Sequence, residues 1–192
     1  MTILTIILIS GLVIGGVGLM WQIAPTKSKL LVTSDETSFP VVSGYNLNRQ
    51  ELEFPQDFNN DLNLIIIAFQ QYQQRIVNTW LPFAQEIEAA FPEFIYYELP
   101  TINEMPSFSR TFINEGMRAG IPDQTARERT ITLYINKDAF KSTLNIPDEN
   151  NIYIFLVKRD GNILWRAAGE YSEDKAGELI QVIKERSDLD IH

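Results

Sequence analysis

Residues Ile152–Gly169 read IYIFLVKRDGNILWRAAG, and this stretch decides the fold. Its two apolar runs, Ile152–Val157 (IYIFLV) and Ile163–Ala168 (ILWRAA), are each of strand length and rich in β-branched and aromatic residues. Asp160-Gly161 lies between them and offers two positions that tolerate the positive φ angles of a tight turn. The stretch therefore predicts a β-hairpin. Alternation along the second strand sends Trp165 and Arg166 to opposite faces, so at most one of them is exposed. Trp165 fits either the core or, with Arg166, a contact surface.

Upstream, Leu62–Phe69 (LNLIIIAF) is continuously apolar, as a strand buried on both faces would be. Apolar residues then recur at helical spacing through Ile76, Val77, Trp80, Phe83, Ala84 and Ile87. This predicts a helix over Gln70–Ala90, kinked at Pro82 and stopped by Pro92. Phe94–Leu99 reads as a second strand, and Ser107–Ala119 as a helix with Ser107 as its cap and Gly120 as its exit. Thr130–Ile135 is a third strand and Asp138–Leu144 a short helix. Downstream of the hairpin, Glu173–Arg186 closes the chain as a helix capped by Ser172. Ahead of all these, Phe39–Phe54 reads as an extended segment broken by Gly44. The order is βαβαβαββα, an α/β fold. Helix-linked strands are expected as parallel neighbours, with the hairpin as an antiparallel edge.

The other end of the chain has a different character. Thr2–Ala24 carries no charge, and Ile3–Trp21 is long enough to cross ~30 Å of hydrocarbon as a helix. No lysine or arginine precedes the apolar run and no Ala-x-Ala-like site closes it, which favours a retained anchor over a secretory signal. The expected organisation is a transmembrane helix over 1–24, a polar tether over 25–38 and one domain over 39–192. Gly11, Gly15 and Gly18 form a small-residue face for packing against another membrane helix. Lys27 and Lys29 flank only the C-terminal side, so the positive-inside rule puts the domain in the cytoplasm.

Composition removes several chemistries. The chain has no cysteine, which excludes dithiol redox work and thiolate nucleophiles. Its single histidine is the last residue, His192, so neither a Ser–His–Asp triad nor a zinc or haem site is expected. No cofactor is predicted, and carboxylate pairs such as Glu86 and Glu88 read as solvated helix faces. The net charge is −9, and every acidic residue lies after Thr33. A surface this acidic repels phosphate backbones, so nucleic acid is not an expected partner.

The run LNLIIIAF leading into the Trp80 helix resembles the strand-to-helix turn of thioredoxin and peroxiredoxin domains, where the attacking cysteine opens the helix. Gln74 and Val77 stand at the two cysteine positions, and Pro147, five residues before Ile152, is the nearest proline to the usual cis-proline site. The hairpin is similar to the cysteine-poor, membrane-associated branch that includes the mitochondrial ATP synthase assembly factor family with a thioredoxin-like domain. Tyr153, Leu156 and Val157 match a Y-x-Y-L-V-D strand there; Ile163, Trp165 and Gly169 match I-R-W-A-G-x-G. Leu164 takes the place of that family's arginine.

The resemblance implies a thioredoxin-like mixed sheet with helices on both faces. It also implies a non-catalytic role as assembly factor or accessory subunit, with subunits of a membrane complex, ATP synthase in particular, as partners. The rival reading is a peroxiredoxin-like or glutathione-dependent enzyme using non-cysteine chemistry. Where the fold keeps its active site, the polar turn Gln70, Tyr72, Gln73 and Gln74 is a candidate hydrogen-bonding rim for a polypeptide. Arg118, Arg127 and Arg129 form the main basic cluster, fit either to hold an anion or to pair with Asp123 and Glu128. Trp165 and Arg166 complete the candidate contact surface.

Overall fold

In the computed structural model, which describes residues 38–189, the hairpin forms between β6 (Tyr153–Lys158) and β7 (Ile163–Ala168). Its turn differs from the expected one. Gly161 has a positive φ of 91°, whereas Asp160 does not. The Gly161 amide donates to the Lys158 carbonyl at 2.9 Å and the Lys158 amide to the Asn162 carbonyl at 2.8 Å. This is a three-residue loop with one left-handed glycine, which needs one special position rather than two.

The predicted elements are present as β3 (Leu62–Ala68), α1 (Gln74–Ala90), β4 (Phe94–Asn103), α2 (Ser107–Gly120), β5 (Ile131–Ile135), α4 (Lys137–Thr143) and α5 (Glu173–Leu189). A short helix α3 (Gln124–Arg129) lies between α2 and β5. Ser107 is the first residue of α2 rather than its cap, a place held by Pro106 without a side-chain hydrogen bond. β4 continues past Leu99 because Pro100 falls where one ladder hands over to the next. Pairing with β3 ends at Ala68–Pro100 and pairing with β5 starts at Thr101–Leu133, so the missing N–H interrupts little.

The extended segment at the start of the domain is itself a hairpin, β1 (Val42–Asn46) with β2 (Glu51–Phe54). Gly44 does not break it. A Cβ on Gly44 would lie 2.7 Å from the Thr132 carbonyl oxygen and 2.8 Å from side-chain atoms of Ile131 and Leu133. Glycine here lets β1 close against β5 in the middle of a strand.

The seven strands form one sheet in the order β2-β1-β5-β4-β3-β6-β7. β3, β4 and β5 run parallel, as expected of helix-linked strands. β5 and β6 do not, although α4 joins them: β6 crosses the sheet to pair antiparallel with the far side of β3. β3 is thereby central, and its two faces feed two cores. Leu62, Leu64 and Ile66 pack with α1 and α5 around Trp80; Ile65 and Ile67 pack with α4 around Phe54, Phe140 and Phe155. Helices thus cover both faces of a mixed sheet.

The chain enters this body at the hairpin turn. The Phe39 amide donates to the Gly161 carbonyl at 2.8 Å, and its ring packs against Phe58 and Phe140. The expected membrane helix over 1–24, its Gly11, Gly15 and Gly18 face, tether residues 25–37 and His192 lie outside the described residues. Among the described residues no helix is long and apolar enough to cross a membrane.

Candidate functional site

β3 delivers the chain to the place where this layout normally keeps its chemistry. A 3-10 turn, Gln71–Gln73, precedes α1, and it is organised by a buried polar side chain. Gln73 is fully buried. Its Oε1 accepts from the amides of Phe69 at 2.8 Å and Gln70 at 3.1 Å, while its Nε2 donates to the Glu149 carbonyl at 2.8 Å. Both ends of the amide are used, as a buried amide requires. Gln73 therefore belongs to the interior and not to an accessible rim, whereas Gln70, Tyr72 and Gln74 are exposed.

Glu149 sits on the loop before β6 and clamps it to this turn. Its carboxylate accepts from Lys137, from Lys141 at 2.9 Å and from the Gln70 side-chain Nε2 at 3.3 Å. Burial pushes the Glu149 carboxyl up, but the two ammonium groups outweigh it and hold it below the ordinary carboxylate range. Pro147 is two residues away; the cis peptide bond of the described chain is Phe54–Pro55.

Neither cysteine position retains redox geometry. Val77 is buried in the α1 core. Gln74 donates to Asn78 at 3.1 Å and to Glu98 at 3.0 Å. Glu98 is buried in β4, and burial pushes its carboxyl above the ordinary range against a smaller pull from the Gln74 amide. A raised folded value means the native state binds that proton more readily than the unfolded chain. Its stabilising contribution is therefore full in acid and lost as pH rises through the raised value. Glu98→Gln is accordingly expected to stabilise the domain at neutral pH. It should give no gain below the ordinary carboxylate range. Thermal melts of both proteins across pH check this; a difference constant with pH would rule out ionisation as the cause.

The arginine cluster pairs differently from the expectation based on sequence neighbours. Asp123 caps α3 by accepting from the Ala126 amide at 2.7 Å, and Glu128 accepts from Gln124 at 3.2 Å. Arg129 instead grips Glu88 of α1 through both terminal nitrogens and stacks over Tyr96. Glu88 is thus no freely solvated carboxylate. Arg127 is structural: it donates to the carbonyls of Ile121 at 2.6 Å and Arg118 at 3.1 Å. Arg118 donates through Nε to the Leu47 carbonyl at 2.7 Å and borders an open groove of about 390 Å³ between α2 and the β1–β2 hairpin. Arg49, Arg110 and Tyr134 line the same groove. The structure brings Arg118 to this groove and leaves Arg127 outside its lining.

Trp165 is buried in the α1–α5 core, T-stacked on Trp80, with its Nε1 donating to Glu178 at 3.3 Å. It is a core residue and not part of an exposed surface. Arg166 is exposed on the opposite face, lying over the Phe155 ring and donating to the Leu144 carbonyl at 3.2 Å. Among the described residues no cluster of acids and histidine could hold a metal ion.

A family model described as ATP10 protein matches residues 28–185 of the chain. The chain belongs to the ATP10 protein family. The matched span takes in the glutamine turn, the groove and the hairpin of this ATP10-family protein. No curated protein sequence matches it. Among solved structures, the exposed lipoprotein thioredoxin of Streptococcus pneumoniae strain TIGR4 aligns with a TM-score of 0.51 at 12% identity, over 76% of this chain and 99% of that one. A thiol-disulfide oxidoreductase of Bacteroides fragilis NCTC 9343 aligns with a TM-score of 0.50 at 14% identity, over 76% and 98%. These likenesses establish a thioredoxin-like fold for the ATP10-family chain. Glu149, Glu98 and Arg110 were not singled out by sequence reading, because their roles depend on partners brought together only by the fold.

Proposed function

We propose that this chain is a membrane-tethered, non-catalytic thioredoxin-fold protein that serves as assembly factor or accessory subunit of a membrane complex, with ATP synthase as the specific candidate. The observation that supports this best is the glutamine plug. Where a thioredoxin needs an accessible thiol and an open docking loop, Gln73 fills the interior and Glu149 ties the loop down. The fold is kept while the exposed cysteine position carries Gln74, which has no thiol chemistry. Membership of the ATP10 protein family supports the assembly role.

In this reading residues 1–24 span the bilayer, 25–38 tether the domain, and 39–192 fold on the side of Lys27 and Lys29, the cytoplasmic side by the positive-inside rule. Gly11, Gly15 and Gly18 pack against a partner's membrane helix. Gln70, Tyr72, Gln74 and Arg166 remain available for contact.

Crosslinking and mass spectrometry of the full chain in native membranes test the proposal. Crosslinks to ATP synthase subunits, with less assembled complex when the chain is removed, are expected. A chain that runs alone in those membranes would sink it. So would peroxidase or glutathione-dependent transferase turnover that disappears in Gln74→Ala.

A further inference from the structure

α2 is amphipathic, yet none of its residues is buried. It rests on the domain through a half-buried stripe that includes Arg110, Ile113, Asn114, Met117 and Arg118. Phe108 and Phe112, one turn apart, stand 84% and 77% exposed. Single exposed apolar residues are ordinary; two phenylalanines in register on one helix form a ridge of the kind that packs against another helix.

Beside this ridge runs the groove. Three arginines and one glutamate line it, in a chain whose net charge is −9. Arg110 is braced through Nε on the Met105 carbonyl at 2.7 Å and lies over the Tyr134 ring. Arg118 is braced through Nε on the Leu47 carbonyl, and its terminal nitrogen comes only within 4.0 Å of Glu115. Glu115 is taken instead by Arg49 at 2.8 Å. Both braced guanidinium groups keep terminal donors free for a carboxylate, at little further entropy cost.

We propose that α2 and its groove are the docking site for an amphipathic helix of a protein partner. The partner's apolar stripe covers Phe108 and Phe112, and acidic side chains on the groove side of that stripe reach in toward Arg118, with Arg110 on the far wall of the groove. This inference rests on the assembly role above, since it says where the partner binds. Charge complementarity selects the occupant: in an acidic chain this groove gathers three arginines against one glutamate, which favours a helix with acidic flanks and sets its orientation.

The test uses the full chain in phosphatidylcholine nanodiscs and two labelled synthetic helices of about 18 residues, long enough to hold a helix. Both carry the same leucine stripe, flanked by glutamate in one and lysine in the other. The glutamate peptide is expected to bind at least about tenfold more tightly. Phe108→Ser with Phe112→Ser should weaken it by a similar factor, and Arg110→Gln should reduce the preference between peptides. Both phenylalanines are exposed, so the serine variant keeps the fold.

Equal binding of the two peptides, or unchanged binding by the serine variant, would overturn the proposal. Self-association of the chain lost in that same variant would also overturn it by making a second copy the occupant. Crosslinking in native membranes separates the two readings. If wild type and serine variant join the complex equally, the groove is not the dock and the assembly role stands. If the peptide preference holds while the chain has no membrane partner, the assembly role falls and the groove stands.

Discussion

Gln73→Ala is expected to cost the domain roughly 2–3 kcal/mol, because one substitution strands one buried and two part-buried backbone groups. The amides of Phe69 and Gln70 lose their acceptor, and the Glu149 carbonyl loses its donor. The cost should arise from unmet hydrogen bonding more than from lost volume. Gln73→Met, which keeps the volume and strands the same groups, should therefore recover less than half of the loss. Urea denaturation of the three proteins measures the differences. Amide exchange gives a second view: the Phe69 N–H should become one of the faster amides next to β3. Full recovery by methionine would show that Gln73 is filler rather than fastener.

Trp80→Ala should be larger still, about 4 kcal/mol. Trp80 is fully buried where α1 meets both α5 and β7, edge-on to Phe83, Trp165 and Tyr171. Its Nε1 donates to the Gly169 carbonyl at 3.0 Å, just beyond the end of β7. Trp80→Phe separates the two contributions, since it keeps an aromatic ring but leaves that carbonyl without its partner. It should cost roughly 1–2 kcal/mol. Denaturation midpoints for the pair supply the ratio. Equal losses in both would mean that the hydrogen bond, rather than packing, holds α1 to the hairpin.

The parts of the fold that sequence exposed are those with a strong local period. β3 and β6 are apolar on both faces, and α1 buries Val77, Trp80, Phe83, Ala84 and Ile87 at helical spacing. What sequence hid was pairing at a distance. Gly44 looked like an interruption because nothing in the surrounding residues reveals that Thr132 will press against it. The ion pairs misled for the same reason: Arg129 reaches across 41 residues to Glu88 and passes over its own neighbour Glu128.

At the candidate site the difficulty was one of orientation. A run of five polar residues, 70–74, gives no period from which to pick the single side chain that points inward, and Gln73 is that one. Alternation placed Trp165 and Arg166 on opposite faces correctly, but could not say which face was covered. α2 is the opposite case. Its amphipathic pattern was legible, yet the same pattern serves a helix that packs inward and one that keeps its aromatic face for another molecule.

The joint between Phe39 and Gly161 also has a consequence for the order of events at the ribosome. Ser38 and Gly161 are separated by 123 positions along the chain yet are neighbours in the finished domain. At ordinary elongation rates the opening residues wait on the order of ten seconds for the β6–β7 turn to be made. Phe39 therefore cannot take its final place while the chain is only partly synthesised. The domain is completed by bringing its earliest residues back to one of its latest turns, a long-range closure of the kind that slows folding.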